Sequence, residues 1–236
     1  MYQHEHPVAA SCCDASGRQT ALSMVTMMQD CSHMWLTSEP GFKAWLDDNG
    51  LFMLITSRQM DIYRRPAYCE HVTVQTSVYQ IKGALGFRNT FILDEQGGIV
   101  AKSCSTGPFI DNTAGKLVRV PADVQATMNI EPKREMDELP RKIAVPDAPV
   151  EELPAIQAQR SDIDFYGHVN NANYVRMACD LLPEGFEWDR LRVEYKGQAK
   201  LGMHVHPTMR RTDGLVYMTL SGDEGETFVN LEFSKR

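Results

Sequence analysis

The chain has 236 residues, 43% hydrophobic and 23% charged, enough for a substantial core in one large domain or two ordinary units. A net charge of −7 argues against nucleic acid as a partner, and no apolar run nears the roughly 18–20 residues needed to cross a bilayer. The opening stretch MYQHEHPVAA has neither a basic flank nor an apolar segment of signal length, so a cytoplasmic protein with reduced thiols is expected.

Taken in chain order, His4-Glu5-His6 places two histidines on one face of an expected strand, with no third metal ligand evident, so no metal is assigned. The loop Asp14-Ala15-Ser16-Gly17-Arg18 leads into a helix over residues 21–35, whose Met24, Met27, Met28 and Cys31 fall at i, i+3, i+4 and i+7. Strand-like stretches follow at 52–63, 71–80, 85–94 and 99–110, with Asp94-Glu95-Gln96-Gly97-Gly98 as a turn. The proline-rich, charged segment 121–154 reads as a surface linker, with a short helix expected over 132–139.

Beyond the linker the same order returns. Asp164-Phe165-Tyr166-Gly167-His168 lies 150 positions after the first loop, and Val175, Ala178, Cys179 and Leu182 repeat the helical stripe. Strands are expected at 191–198, 203–211, 215–222 and 227–234; His204 and His206 again share one strand face without an evident third ligand. The first copy carries about 18 extra residues between helix and sheet, most of them in the stretch 37–51. The organisation expected is therefore α+β: a first repeat over 1–120, a linker over 121–154 and a second repeat over 155–236, each a helix covering an antiparallel sheet.

The chemistry concentrates in residues 160–174. There a strand is expected to end near Asp162, the chain to turn at Gly167, and a helix to start at Asn170-Asn171, Asn being a favoured N-cap. Asp164 and His168 flank the turn, and backbone amides from Val169 to Ala172 could receive a developing oxyanion. Asp-rich turns before helices also serve simply as caps. The repeat separates the two readings: Asp14 and Gly17 are shared, whereas His168, Val169 and Asn170 replace Arg18, Gln19 and Thr20.

The run Asp162-x-Asp164-x-x-Gly167-His168-Val169-Asn170-Asn171-x-x-Tyr174 resembles the signature of hotdog-fold acyl thioesterases, and the two-copy layout resembles the acyl-acyl-carrier-protein thioesterases. Met28-Gln29-Asp30, the stretch 58–66 with 72–76, and Arg88-Asn89-Thr90 extend the resemblance over nearly the whole chain. It implies a double hotdog fold and hydrolysis of acyl-carrier-protein thioesters, without a cofactor, by a monomer or homodimer that neither binds nucleic acid nor inserts in a membrane. Acyl-CoA hydrolysis, a hotdog dehydratase and non-catalytic acyl binding are the alternatives. Asp164 and His168 match the plant members' active-site loop, while Tyr166 stands at its Asn, Gln198 at its Glu and Ala199 at its Cys, so no cysteine nucleophile is available there. The remaining cysteines are read as packing residues. The expected catalytic set is Asp164, His168, Gln198, Tyr166 and Asn170, with Val169 and Asn171 contacting substrate. Through the resemblance the first copy shapes the acyl pocket, with Met24, Met28 and Trp35 as lining candidates, although core packing also accounts for such methionines.

Overall fold

In the computed structural model, which describes residues Met1–Arg236, the methionine stripe forms one buried face of helix α1 (Ala21–Met34). Thr20 caps it by accepting the Ser23 N–H, and Met24, Met28 and Cys31 lose all solvent contact against the sheet. The chain divides into two units, Met1–Glu138 and Leu139–Arg236.

The first unit contains β1 (Tyr2–Pro7), α1, α2 (Pro40–Asp48), β2 (Leu51–Met53), β3 (Ser57–Ile62), β4 (His71–Lys82), β5 (Leu85–Asp94), β6 (Ile99–Asp111) and α3 (Ala122–Gln125). Its antiparallel sheet runs β1-β4-β5-β6-β3, and α1 packs on β4 and β5. The single strand expected over 52–63 is two, because its register on the neighbouring strand slips by one residue opposite Gly107, from Met53 against Phe109 to Ser57 against Thr106. A Cβ on Gly107 would fall 1.5 Å from the Leu54 carbonyl oxygen, so only glycine permits this close approach. β2 and β3 pair with β6 on either side of that point.

The extra residues of the first copy fold as α2, whose Phe42 and Leu46 join Trp35, Val78, Phe109, Val120 and Met128 in a hydrophobic cluster. The helix expected over 132–139 is absent. Residues 131–138 are irregular and lie on the sheet face opposite α1, where the Arg134 guanidinium sits 3.7 Å from the Phe91 ring centre and the Arg134 N–H donates to Asn89 Oδ1 at 3.0 Å. These contacts with the sheet, rather than a helical ladder, hold the segment.

The second unit contains β7 (Glu151–Glu152), β8 (Ile156–Gln157), α4 (Asn171–Cys179), β9 (Arg190–Tyr195), β10 (His204–Thr212), β11 (Leu215–Ser221) and β12 (Thr227–Ser234). The antiparallel order is β9-β12-β11-β10-β7, with β8 also on β10. α4 is shorter than its stripe suggested: it ends at Cys179, ahead of Pro183, and Leu182 is only half-buried beyond it. Both units are a helix on an antiparallel sheet, the α+β organisation expected from the repeat.

Candidate active site

The two loops at the helix starts have one backbone plan. In the second unit a 3₁₀ turn at Arg160–Asp162, rather than the expected strand end, leads in; Asp164 N–H donates to His168 O and Gly167 N–H to Asp164 O, each at 2.9 Å. The first unit repeats this with Ala10–Cys12, Asp14 and Arg18, and Gly17 to Asp14, also at 2.9 Å. Gly17 and Gly167 sit at φ 71° and 82°, the left-handed region that closes the turn without strain only for glycine.

What differs is how the carboxylates are spent. Asp14 Oδ1 accepts from Ser16 N (2.9 Å), Ser16 Oγ (2.5 Å) and Arg18 N (3.3 Å), and Oδ2 pairs with Arg65 at 2.5 Å. The Ser16 hydroxyl, with the other donors, pulls Asp14 down to about 2. Asp164, half-buried, accepts at Oδ1 from Tyr166 N at 2.9 Å, and its second oxygen has no partner. It has no ion pair.

Around Asp164, Val169 is buried (2% exposed), and its N–H donates to Ala199 O at 2.9 Å, which lays the segment 196–200 beside the loop. Ala199 is fully buried and its N–H donates to the Tyr174 hydroxyl at 2.7 Å. Neighbouring Gln198 is exposed, with no hydrogen bond to its side chain. The His168 ring is half-buried and likewise without a hydrogen-bond partner. Tyr166 is 55% exposed and lies against Phe165 with tilted rings whose centres are 4.2 Å apart; burial of part of the ring, then the Asp164 charge, raise its hydroxyl.

The amide set at the helix start is narrower than residues 169–172 suggested. Val169 N–H is taken by Ala199 O, Asn170 N–H by Asp162 O at 2.8 Å, and Ala172 N–H by the Asn170 side chain at 2.9 Å. Asn170 is therefore the N-cap of α4. Asn171 N–H alone among the four is unspent, and the Asn171 carbonyl accepts from the Tyr195 hydroxyl at 3.2 Å.

Three residues that hold this geometry were quoted in, or lie beside, the sequence signature without a role. Asp162 is 4% exposed, accepts from Gln159 N and pairs with Arg176 at 2.8 Å. Arg176 reaches back from α4 to make that bond. Tyr174, 1% exposed and pushed to about 12 by burial, joins α4 to the 196–200 segment. The Asp-to-Arg spacing of 14 positions gives no local signal, which is why the pair was invisible before folding.

In the first unit Met24, Met28 and Trp35 are fully or almost fully buried. The same unit holds a cavity of about 30 Å³, but none of the three lines it; its α1 residues are Ser32 and His33. Of the cysteines, only Cys31 is buried, raised to about 11 by burial; Cys104 is raised to about 12, and Cys69 is exposed, so the reading of them all as packing residues does not hold. His204 and His206 both face Asp223, at 3.8 and 2.7 Å, and no group of three or more side chains is arranged to hold a metal.

The family described as acyl-ACP thioesterase, N-terminal domain, matches residues 1–128, and its C-terminal domain counterpart matches residues 148–229. An acyl-ACP thioesterase from Bacteroides thetaiotaomicron superposes with a TM-score of 0.89 at 18% identity, covering 98% of this chain and 96% of its own. The 12:0-ACP thioesterase from Umbellularia californica superposes with a TM-score of 0.83 at 13% identity, over 99% and 96% of the two chains. No curated protein matches by sequence.

Proposed function

The chain belongs to the acyl-ACP thioesterase family and hydrolyses acyl-acyl-carrier protein to a free acid and the carrier thiol, and on that premise we propose that Asp164 drives the attack on the thioester carbonyl. The observation that carries this reading is the unpaired carboxylate oxygen of Asp164, on a loop whose repeat counterpart is fully spent.

Asp164 takes a proton from a water whose oxygen adds to the carbonyl carbon. The oxyanion is received by Asn171 N–H at the positive end of α4. Collapse breaks the C–S bond, and the departing thiolate takes the proton back from Asp164. His168 and Gln198, both with uncommitted side chains, orient the water or the carbonyl. Asn170 and Tyr166 act by position: the first caps α4, the second fixes Asp164 through its N–H. Val169 and Asn171 border the carbonyl. Direct attack by Asp164 would give a mixed anhydride instead, and single turnover in ¹⁸O-water labels the Asp164 carboxylate only on that route.

The first repeat selects the acyl chain through residues that line its cavity, such as Met53, Ile55 and Phe87, while Met24, Met28 and Trp35 pack in the core. No helix is long and apolar enough to cross a membrane. We place the enzyme in the cytoplasm, ending fatty acid synthesis, as a monomer or homodimer that carries both repeats on each chain. The deciding experiment is Asp164→Asn, assayed for thiol release from acyl-carrier-protein substrates with folding checked by circular dichroism. Turnover should fall at least about a hundredfold, the scale of losing one group aimed at the transition state. Retained turnover removes Asp164 from the chemistry.

A further inference from the structure

The cavity of the first unit has an apolar rim and a polar floor. Met53, Leu54, Ile55 and Phe87 at its rim are half-buried, whereas Arg88, Ser105 and Thr106 beneath them are buried. Arg88 is 4% exposed. Its Nη1 donates to Thr76 Oγ1 at 3.0 Å, its guanidinium carbon lies 4.3 Å from the Trp35 ring centre, and its Nη2 is buried without any acceptor.

No carboxylate forms an ion pair with this cation. Glu39 and the Cys31 thiol act on it only through space, and a second cation, Arg58, opposes it. Burial pushes Arg88 down to about 9, so it still carries its charge at neutral pH. A buried charge with an open donor is among the costliest features a core can hold, and a cavity edged by that same side chain is where an acceptor would relieve it.

We propose that this cavity is a binding site for the oxygen-bearing end of an aliphatic chain, with Arg88 as the donor that recognises the oxygen. The cavity volume of about 30 Å³ suits a carboxylate or hydroxyl tip, with the alkyl stem lying against Met53, Ile55 and Phe87. A purely alkyl tip would leave the guanidinium unmet, and a cationic tip would be repelled. Two sources present this chemistry: a free fatty acid entering head first, or an acyl substrate oxygenated at its far end.

The test uses the full chain and titrates octanoate against octylamine, which share a stem and differ in the sign of the tip. Binding is followed by tryptophan fluorescence, to which Trp35 contributes beside Arg88, and by calorimetry. Octanoate should bind at least tenfold more tightly than octylamine, and Arg88→Met should abolish that difference. Should Arg88→Met not fold, Ser105→Leu fills the floor from the neighbouring strand and should weaken octanoate at least tenfold. Equal binding of the two ligands, no binding of either, or octanoate binding untouched by the folded variants overturns the proposal, the last because the site would lie elsewhere. Two further arms name the source. Added octanoate that changes turnover of a plain acyl-carrier-protein substrate in the wild type but not in the Arg88 or Ser105 variant identifies the free acid. A higher kcat/KM for an ω-hydroxyacyl substrate than for its unsubstituted equal-length counterpart identifies the oxygenated acyl chain.

Discussion

Asp14 and Asp164 occupy the same place in the same turn, 150 positions apart, with the same backbone bonds and a positive-φ glycine three residues on. One carboxylate accepts three hydrogen bonds at Oδ1 and an ion pair at Oδ2; the other accepts one amide and keeps an oxygen open. The turn is thus a requirement of the fold, met twice, since each loop feeds a capped helix. Reactivity is a separate decision, made by withholding partners from the second copy. Tyr166 offers only its N–H where Ser16 offers N–H and hydroxyl, and no arginine reaches Asp164 as Arg65 reaches Asp14.

The sharpest way to break this contrast is the substitution Asp164→Asn, with its loss of at least about a hundredfold in turnover, set beside Asp14→Asn, which should leave turnover within about twofold. Next comes Asp162→Ala, which leaves Arg176 only its exposed partner Asp180 and removes a charged acceptor from under the loop. Chemical denaturation should give a loss of about 2 kcal/mol, with kcat falling more than KM rises as the loop loses its position. Asn170→Ala, removing the cap of α4, should cost about 1 kcal/mol in the same experiment, whereas Asn170→Asp should retain most of it. The smallest effect concerns the first copy. Ser16→Ala with Arg65→Met frees Asp14 as Asp164 is free, and stability should change by less than about 1 kcal/mol because these groups are exposed. No new activity should appear, since Arg18 stands where His168 does. The same double variant tests pH dependence. The folded Asp14 carboxyl is depressed, so its contribution is complete above the ordinary value of 3.8 and is lost as pH falls toward about 2. An acid-unfolding midpoint equal in wild type and variant would contradict that linkage.

Much of the loop was legible before folding. The spacing of Asp14, Gly17 and the helix start against Asp164, Gly167 and Asn170 located both turns and the N-cap, because turn and cap preferences act within a few residues. The supply of oxyanion donors was not legible. Val169 N–H is consumed by Ala199, 30 positions on, and Asn170 N–H by Asp162 across the folded loop, pairings that leave no periodic trace. The irregular segment where a helix was expected over 132–139 likewise meets partners remote in sequence: Arg134 lies on the Phe91 ring and its N–H donates to Asn89, 45 positions away.

What the amino-acid order determined alone was the repeated helix-and-meander plan, the methionine face of α1, the capped start of α4 and the glycine-closed turns, all consequences of short-range periodicity and backbone stereochemistry. Only the tertiary structure decided which acid stays unpaired, which amide stays unspent, and that Arg88 is buried beside Trp35 with one donor unmet at the edge of a cavity. Those outcomes depend on desolvation and on charges brought together from remote strands, and such energies exist only once the chain has folded around them.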